Sequence, residues 1–288
     1  KLLLYGLPMS FWMLCFQMLF LANRLIIGSL RSLKEVGIYA SAYDLINGTL
    51  SLIMTPFLLA AHPIILQLWA QTGDRIVIEG LIKGILRNLL LLFVPIFSFS
   101  LIVNKELFFI LGRGFGIEGW VVPVLVATSF CSGFSMYFHK GLEIAKRTDI
   151  MMGVAALTAF LNVMLNLLLV SRYGYAAAAV IALISYLFYM VVAYRFSRQY
   201  VRLRVSWKSV FRICVVGGVA GMCLWLIKQA IMITIIDSVL RTGLSIIFST
   251  GIYLILLIVS GELKSEYQWF LGTVSRYRSS KITGEKAP

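Results

Sequence analysis

Apolar runs of about 20 residues recur along the whole chain, separated by short polar breaks that carry most of the charge. At a rise of about 1.5 Å per residue, each run is long enough to cross a hydrocarbon core about 30 Å thick as a helix. The runs do not alternate with a period of two, which excludes a membrane β-barrel. Eight spans are expected near 5–29, 36–61, 82–103, 118–138, 150–170, 175–194, 210–228 and 239–260. The predicted fold class is therefore all-α, a polytopic membrane helix bundle of about eight transmembrane helices.

Within the runs, Pro8, Pro56, Pro95 and Pro123 each remove a backbone donor and favour a kink, with Pro63 just beyond the second run. Such kinks serve as hinges or as static bends, and the sequence leaves both open. QLWAQTGDRIVIEGLIKGILRN predicts a short amphipathic connection along the interface, with Lys83 and Arg87 one turn apart as anchors or headgroup contacts. NKELFFILGRGFGIEG reads as a turn between an interfacial half-helix and the fourth span. Its glycines Gly112, Gly114 and Gly116 lack the preceding strand and the Lys-Ser/Thr pair of a phosphate-binding loop.

Composition agrees, with 60% hydrophobic residues, 13% charged and a mean hydropathy of +0.91. The net charge of +14 follows from topology. Counted alternately across the eight spans, Lys and Arg fall eighteen to one side and seven to the other, with Arg24 inside a span. The richer side is expected to be cytoplasmic, with both ends of the chain on it. Trp69, Trp120, Trp207 and Trp225 fall near span ends, where amphipathic rings prefer to sit. A basic soluble surface for nucleic acid is lacking. Cys15, Cys131, Cys214 and Cys223 lie in apolar runs without CxxC spacing and read as packing residues. The opening KLLLYGLP has neither an initiator Met nor a signal-peptide pattern, so we expect a chain that begins within a longer protein.

Only two charges are expected well inside the bilayer, Arg24 and Asp44, on the two limbs of the first hairpin. Each costs a few kcal/mol at membrane depth, so such residues face a bundle interior or a hydrated cavity. They lie ten residues before and ten after Lys34, which predicts similar depth in an antiparallel hairpin and allows them to pair. Gln17 shares the face of Arg24, Asn23 adjoins it, and Tyr43, Asp44 and Asn47 cluster at helical spacing. This set can line a substrate cavity, or Arg24 and Asp44 can simply lock the hairpin. A guanidinium in a hydrated cleft suits a phosphate through two parallel charge-assisted bonds.

Elsewhere, Asn162 and Asn166 share a helix face and suggest interhelical hydrogen bonds, while Gly217 and Gly221 form a GxxxG packing face. His62 and His139 have no metal-ligating or catalytic partners in the sequence, and His139 is expected at an interface as a surface group.

YGLPMS followed by LANRLIIGSLRSLKEVGIYASAYDL resembles the seventh and eighth helices of polysaccharide transporters of the multidrug/oligosaccharidyl-lipid/polysaccharide (MOP) superfamily. The resemblance continues through ELFFILGRGF, KGLEIAKRTDIMMGVAALTAFLNVMLNLLLVSRYGYAAAAVIALISY and LIVSGELKSEYQW, in order and over nearly the whole chain. Asn23 stands where the family commonly has an acid before the arginine, which makes Asp44 the better counter-ion for Arg24.

The resemblance implies a Wzx-type flippase of lipid-linked oligosaccharides, serving O-antigen or related surface-polysaccharide synthesis in a bacterial cytoplasmic membrane. It implies a second six-helix lobe over 1–200, two additional helices over 201–262 and a cytoplasmic tail over 263–288, with the N-terminal lobe outside the chain. Its partners would be the lipid-linked oligosaccharide, membrane lipids, that facing lobe and other polysaccharide-assembly proteins. No cofactor is implied, and coupling to H+ or Na+ remains open. Arg24 would hold phosphate, Asp44 would tune it or couple an ion, and Gln17, Asn23, Tyr43 and Asn47 would offer hydrogen bonds to sugar. The competing readings are a cation-coupled exporter of small molecules, a membrane polymerase or acyltransferase, and a scaffold docking enzymes through RFSRQYVRLRVSWKSVFR.

Overall fold

A computed structural model describes residues 2–104, 116–203, 206–230 and 238–261. Among the described residues the chain is helical: α1 (Leu2–Leu30), α2 (Leu33–Thr72), α3 (Arg75–Ile102), α4 (Val121–Phe138), α5 (Lys140–Ile144), α6 (Thr148–Ser197), α7 (Trp207–Ala230) and α8 (Ser238–Val259). Seven helices among the described residues are long and apolar enough to cross a membrane.

The eighth span expected from the sequence is contained in α6. Its 50 residues would run about 75 Å if straight. At Gly174 the backbone leaves the helical region, with φ 64° and ψ −156°. Asn162 Nδ2 donates to Ser185 Oγ across that point at 2.9 Å, although a straight helix would hold the two about 35 Å apart. The helix is therefore a hairpin of two membrane-length arms. A side chain at Gly174 would be strained at this φ and would meet the Glu35 carboxylate at 2.7 Å.

The link between α2 and α3 corrects the amphipathic connection expected there. α2 continues without interruption through Pro56 and Pro63 to Thr72, and α3 begins at Arg75. Gly73 at φ 61° closes α2, and the Asp74 carboxylate caps α3 by accepting from Ile76 N at 2.8 Å. The proline-bearing run is thus absorbed into helix. The break between α1 and α2 is equally short, with Ser32 Oγ accepting from Glu35 N at 3.2 Å in the S-x-x-E capping pattern. The half-helix expected in NKELFFILGRGFGIEG falls largely, and the tail at 263–288 entirely, outside the described residues.

The chain divides into two compact units. The first holds residues 1–58 and 103–203, the second 59–102 and 204–288. In the first, α1 packs against both arms of α6, and α4 packs on α6. One core cluster joins Trp12 and Cys15 of α1 to Leu142, Met151, Val154, Ala155, Tyr189 and Ala193. In the second, α3 packs on α7 and α7 on α8, around Ala220, Tyr253 and Leu257. Gly217 and Gly221 face Val94 and Ser98 of α3, which makes the GxxxG pair a helix contact.

Candidate functional site

The first hairpin brings Arg24 and Asp44 together. Arg24 lies about 9 Å along α1 from its end at Leu30, and Asp44 about 17 Å along α2 from its start at Leu33. The long arginine spans the difference, and its Nη2 donates to Asp44 Oδ1. The guanidinium also lies 4.2 Å from the Phe20 ring centroid, a cation–π contact one turn back on the same helix. Phe20 leans on Tyr43, and Tyr43 stacks on Tyr39.

The pair is open rather than sealed. The Arg24 side chain is 22% exposed and that of Asp44 57%. Nε of Arg24 is buried without a hydrogen-bond partner among the described residues. An arginine has five N–H donors in a rigid fork, so the guanidinium keeps donor capacity after pairing with Asp44.

The remaining candidates separate into two groups. Gln17 is exposed and Asn47 half-buried, consistent with residues a ligand can reach. Asn23 and Tyr43 are buried, at 1% and 5% exposure. Asn23 Nδ2 donates to the Tyr39 hydroxyl at 3.1 Å, and its Oδ1 accepts from Asn166 Nδ2 at 3.0 Å. Asn166 also donates to the Asn162 carbonyl at 2.7 Å, and Asn162 reaches Ser185 on the second arm of α6. Three amides and two hydroxyls thus tie α1, α2 and both arms of α6 together behind the ion pair. This joins Asn162 and Asn166 as the interhelical contacts expected of them.

The sequence carried a signal for this division. Adjacent helical residues are about 100° apart, so Asn23 and Arg24 cannot share a face. Tyr39 was not singled out, although it stands one turn before Tyr43 on the same face.

A second cluster fixes the near end of the hairpin. Arg31 Nε donates to Glu35 at 3.0 Å and its Nη1 to the Ser171 carbonyl at 3.3 Å. The other Glu35 oxygen accepts from Tyr175 N at 3.1 Å. The α1–α2 break is thereby fastened to the turn of α6, limiting how far Arg24 and Asp44 can drift from the amide network.

His139 departs from the surface role expected of it. It is 2% exposed, and its Nδ1 lies 3.1 Å from the Tyr189 hydroxyl, which accepts from Trp12 Nε1 at 2.8 Å. The α4–α5 junction folds the ring inward against α1, so it is a core residue. No group of three or more His, Cys, Asp or Glu side chains among the described residues is arranged to hold a metal ion.

No protein-family model matches the chain. Over 202 residues it is 21% identical to a probable low-salt glycan biosynthesis flippase, Agl15, of Haloferax volcanii, covering 68% of this chain and 42% of that protein. In three dimensions it is similar to the lipid II flippase MurJ in an inward closed conformation, with a TM-score of 0.58 and 13% identity. The match covers 83% of this chain and 52% of MurJ. The chain thus spans about half the length, or less, of the proteins it matches. At this identity the likeness establishes the fold: a multi-pass membrane helix bundle arranged like about half of that flippase.

Proposed function

We propose that this chain forms part of a membrane flippase that moves a polyprenyl-pyrophosphate-linked oligosaccharide across a cytoplasmic membrane by alternating access. The observation that carries the reading is the open Arg24–Asp44 pair inside membrane-spanning helices. A charge pair taken out of water to serve only as a lock repays its desolvation only when its remaining hydrogen bonds are satisfied. Here the carboxylate is more than half exposed and the guanidinium retains donors. A phosphate oxygen approaching that fork would share Arg24 with Asp44 or displace it, while Gln17 and Asn47 stand open for sugar hydroxyls. The resemblance of both matched flippases to this chain supports a transporter rather than an enzyme.

On this reading the chain contributes a second lobe over 1–200 and two additional helices over 201–262, with the opposing wall of the cavity supplied by a facing lobe. The lipid tail would remain in the bilayer while the polar head crosses. Both ends of this chain would be cytoplasmic, by the eighteen-to-seven distribution of cations. The glycan would be a surface-polysaccharide repeat unit such as that of O-antigen.

The test is restoration of glycan export in flippase-deleted bacteria by the full-length gene, with variants compared at matched membrane levels. Arg24→Ala is expected to lower export by about tenfold or more, the value of one charge-assisted hydrogen bond. Arg24→Lys keeps the charge but loses the planar fork, and should also fail substantially. Unchanged export by both variants would reduce Arg24 to a hairpin lock and remove the main support for the proposal.

A further inference from the structure

We propose that the second arm of α6 is a docking site for an anionic phospholipid, its acyl chain along an apolar stripe and its phosphate at Arg195 and Arg198. The inference requires only that the chain spans a membrane and is independent of what it transports.

The stripe is read from exposure. Ile184, Leu187 and Val191 are 48%, 43% and 62% exposed, and Arg195 and Arg198 are exposed after them. At about 100° per residue these five positions fall within an arc of about 80°. The apolar face therefore leads directly into two guanidinium groups at the end of the arm. A phospholipid has the same order of parts, an apolar chain ending in an anionic head.

The charged end is held in place and its cations are available. Ser197 Oγ accepts from Gly141 N at 3.0 Å, and a Cβ at Gly141 would lie 2.6 Å from the Ser197 carbonyl oxygen. This close approach draws the segment after α4 against the end of α6. Lys140 and Glu143 of that segment neutralise each other in a buried pair at 2.6 Å. Arg147 is spoken for by Asp149 at 3.1 Å, with Tyr200 also in hydrogen-bonding reach. Lys146, between these two neutralised positions, is exposed and has no ion-pair partner among the described residues, nor do Arg195 and Arg198.

Lys146 adds an observation that insertion topology does not account for. Its φ is 57°, the one non-glycine residue of positive φ among the described residues. It occupies the left-handed position that ends α5, where Lys146 N donates to the Glu143 carbonyl and Arg147 N to that of Leu142. Glycine takes this position without strain. The charge bias of insertion is met by a lysine anywhere in the loop. A lysine kept at this strained position, next to Arg147, whose side chain reaches Tyr200 just past Arg198, is what a headgroup site requires.

The test uses the full-length protein purified in detergent and titrated with phosphatidylglycerol or, as the neutral comparison, phosphatidylcholine. Bound lipid is counted by native mass spectrometry, and stabilisation is read from the thermal unfolding midpoint. Wild type should retain phosphatidylglycerol in preference to phosphatidylcholine. Each removed cation should weaken that binding about fivefold, so R195A/R198A should lose about 25-fold. Lys146→Gly should lose about fivefold while its lipid-free unfolding midpoint holds or rises, because glycine relieves the positive φ; this variant decides the matter even if the double variant folds poorly. Lys34→Ala, which removes an exposed cation at the other end of the unit, should leave binding unchanged. Equal binding of the two lipids by wild type, undiminished binding by K146G, or an equal loss in K34A would overturn the proposal.

Discussion

The two units of this chain solve one problem by different chemistry. Lipid tails are as apolar as leucine, so helices in a membrane need something beyond hydrophobicity to choose each other. The first unit uses side-chain hydrogen bonds: Asn23, Tyr39, Asn162, Asn166 and Ser185 in one network, and Trp12, Tyr189 and His139 in another. The second uses close backbone approach, with Gly217 and Gly221 of α7 against Val94 and Ser98 of α3. Directional bonds fix rotation about a helix axis, whereas small residues fix distance and tolerate more rotation. The candidate site lies in the unit whose helices are rotationally fixed, and a charge pair such as Arg24–Asp44 depends on that.

The sharpest way to break the comparison is to insert bulk. A Cβ at Gly217 would lie 2.2 Å from Val94 Cγ1, and valine is stiff at χ1, so the helices must separate. Gly217→Leu is expected to cost about 3 kcal/mol or more and to abolish recovery of folded protein in size-exclusion chromatography. A Cβ at Gly133 in the first unit would come as close to Met54, at 2.1 Å. The atom met there is the terminal methyl of a flexible side chain, so Gly133→Ala should be tolerated. Comparable losses from Gly133→Ala and Gly217→Ala would erase the distinction.

The first unit should instead fail at its amides. Asn166→Ala leaves Asn23 and Asn162 with unmade bonds in a buried site, at a cost of about 1–3 kcal/mol in the unfolding free energy. In a double-mutant cycle with Asn23→Ala, coupling of about 0.6–1.7 kcal/mol is expected, the range seen for hydrogen bonds between membrane helices. Coupling near zero would mean that the network decorates the core without specifying it.

Much of this architecture was legible because each of its causes is local. Apolar length gave the spans, and antiparallel spacing about Lys34 paired Arg24 with Asp44. The i, i+4 spacing placed Asn162 with Asn166 and Gly217 with Gly221. What escaped was set by distant partners. Asn23 is drawn inward by Tyr39 and Asn166, the latter 143 residues away, so its neighbour's exposure gave no guide to its own. His139 is buried because Trp12 and Tyr189 converge on the α4–α5 junction from different helices. The short α2–α3 link was obscured by Pro63, since a proline in a long membrane helix is tolerated when its neighbours re-satisfy the freed backbone.

The same compensation gives the smallest and most specific test of the second unit. Pro95 in α3 has no N–H, so the carbonyl of Leu91, one turn earlier, loses its helical donor. Tyr253 of α8 supplies one, its hydroxyl donating to that carbonyl at 2.7 Å. Tyr253→Phe keeps the ring and its packing but strands a part-buried carbonyl, and should destabilise by about 1 kcal/mol. In the Pro95→Ala background the helix regains its own N–H donor to Leu91, so Tyr253→Phe should then cost little. Unfolding of the four proteins in mixed detergent would give the coupling directly. If Tyr253→Phe costs the same with and without Pro95, the hydroxyl is not replacing the proline's missing donor. The bond would then be one more directional contact between α3 and α8, and the second unit, like the first, would rest partly on side-chain hydrogen bonds.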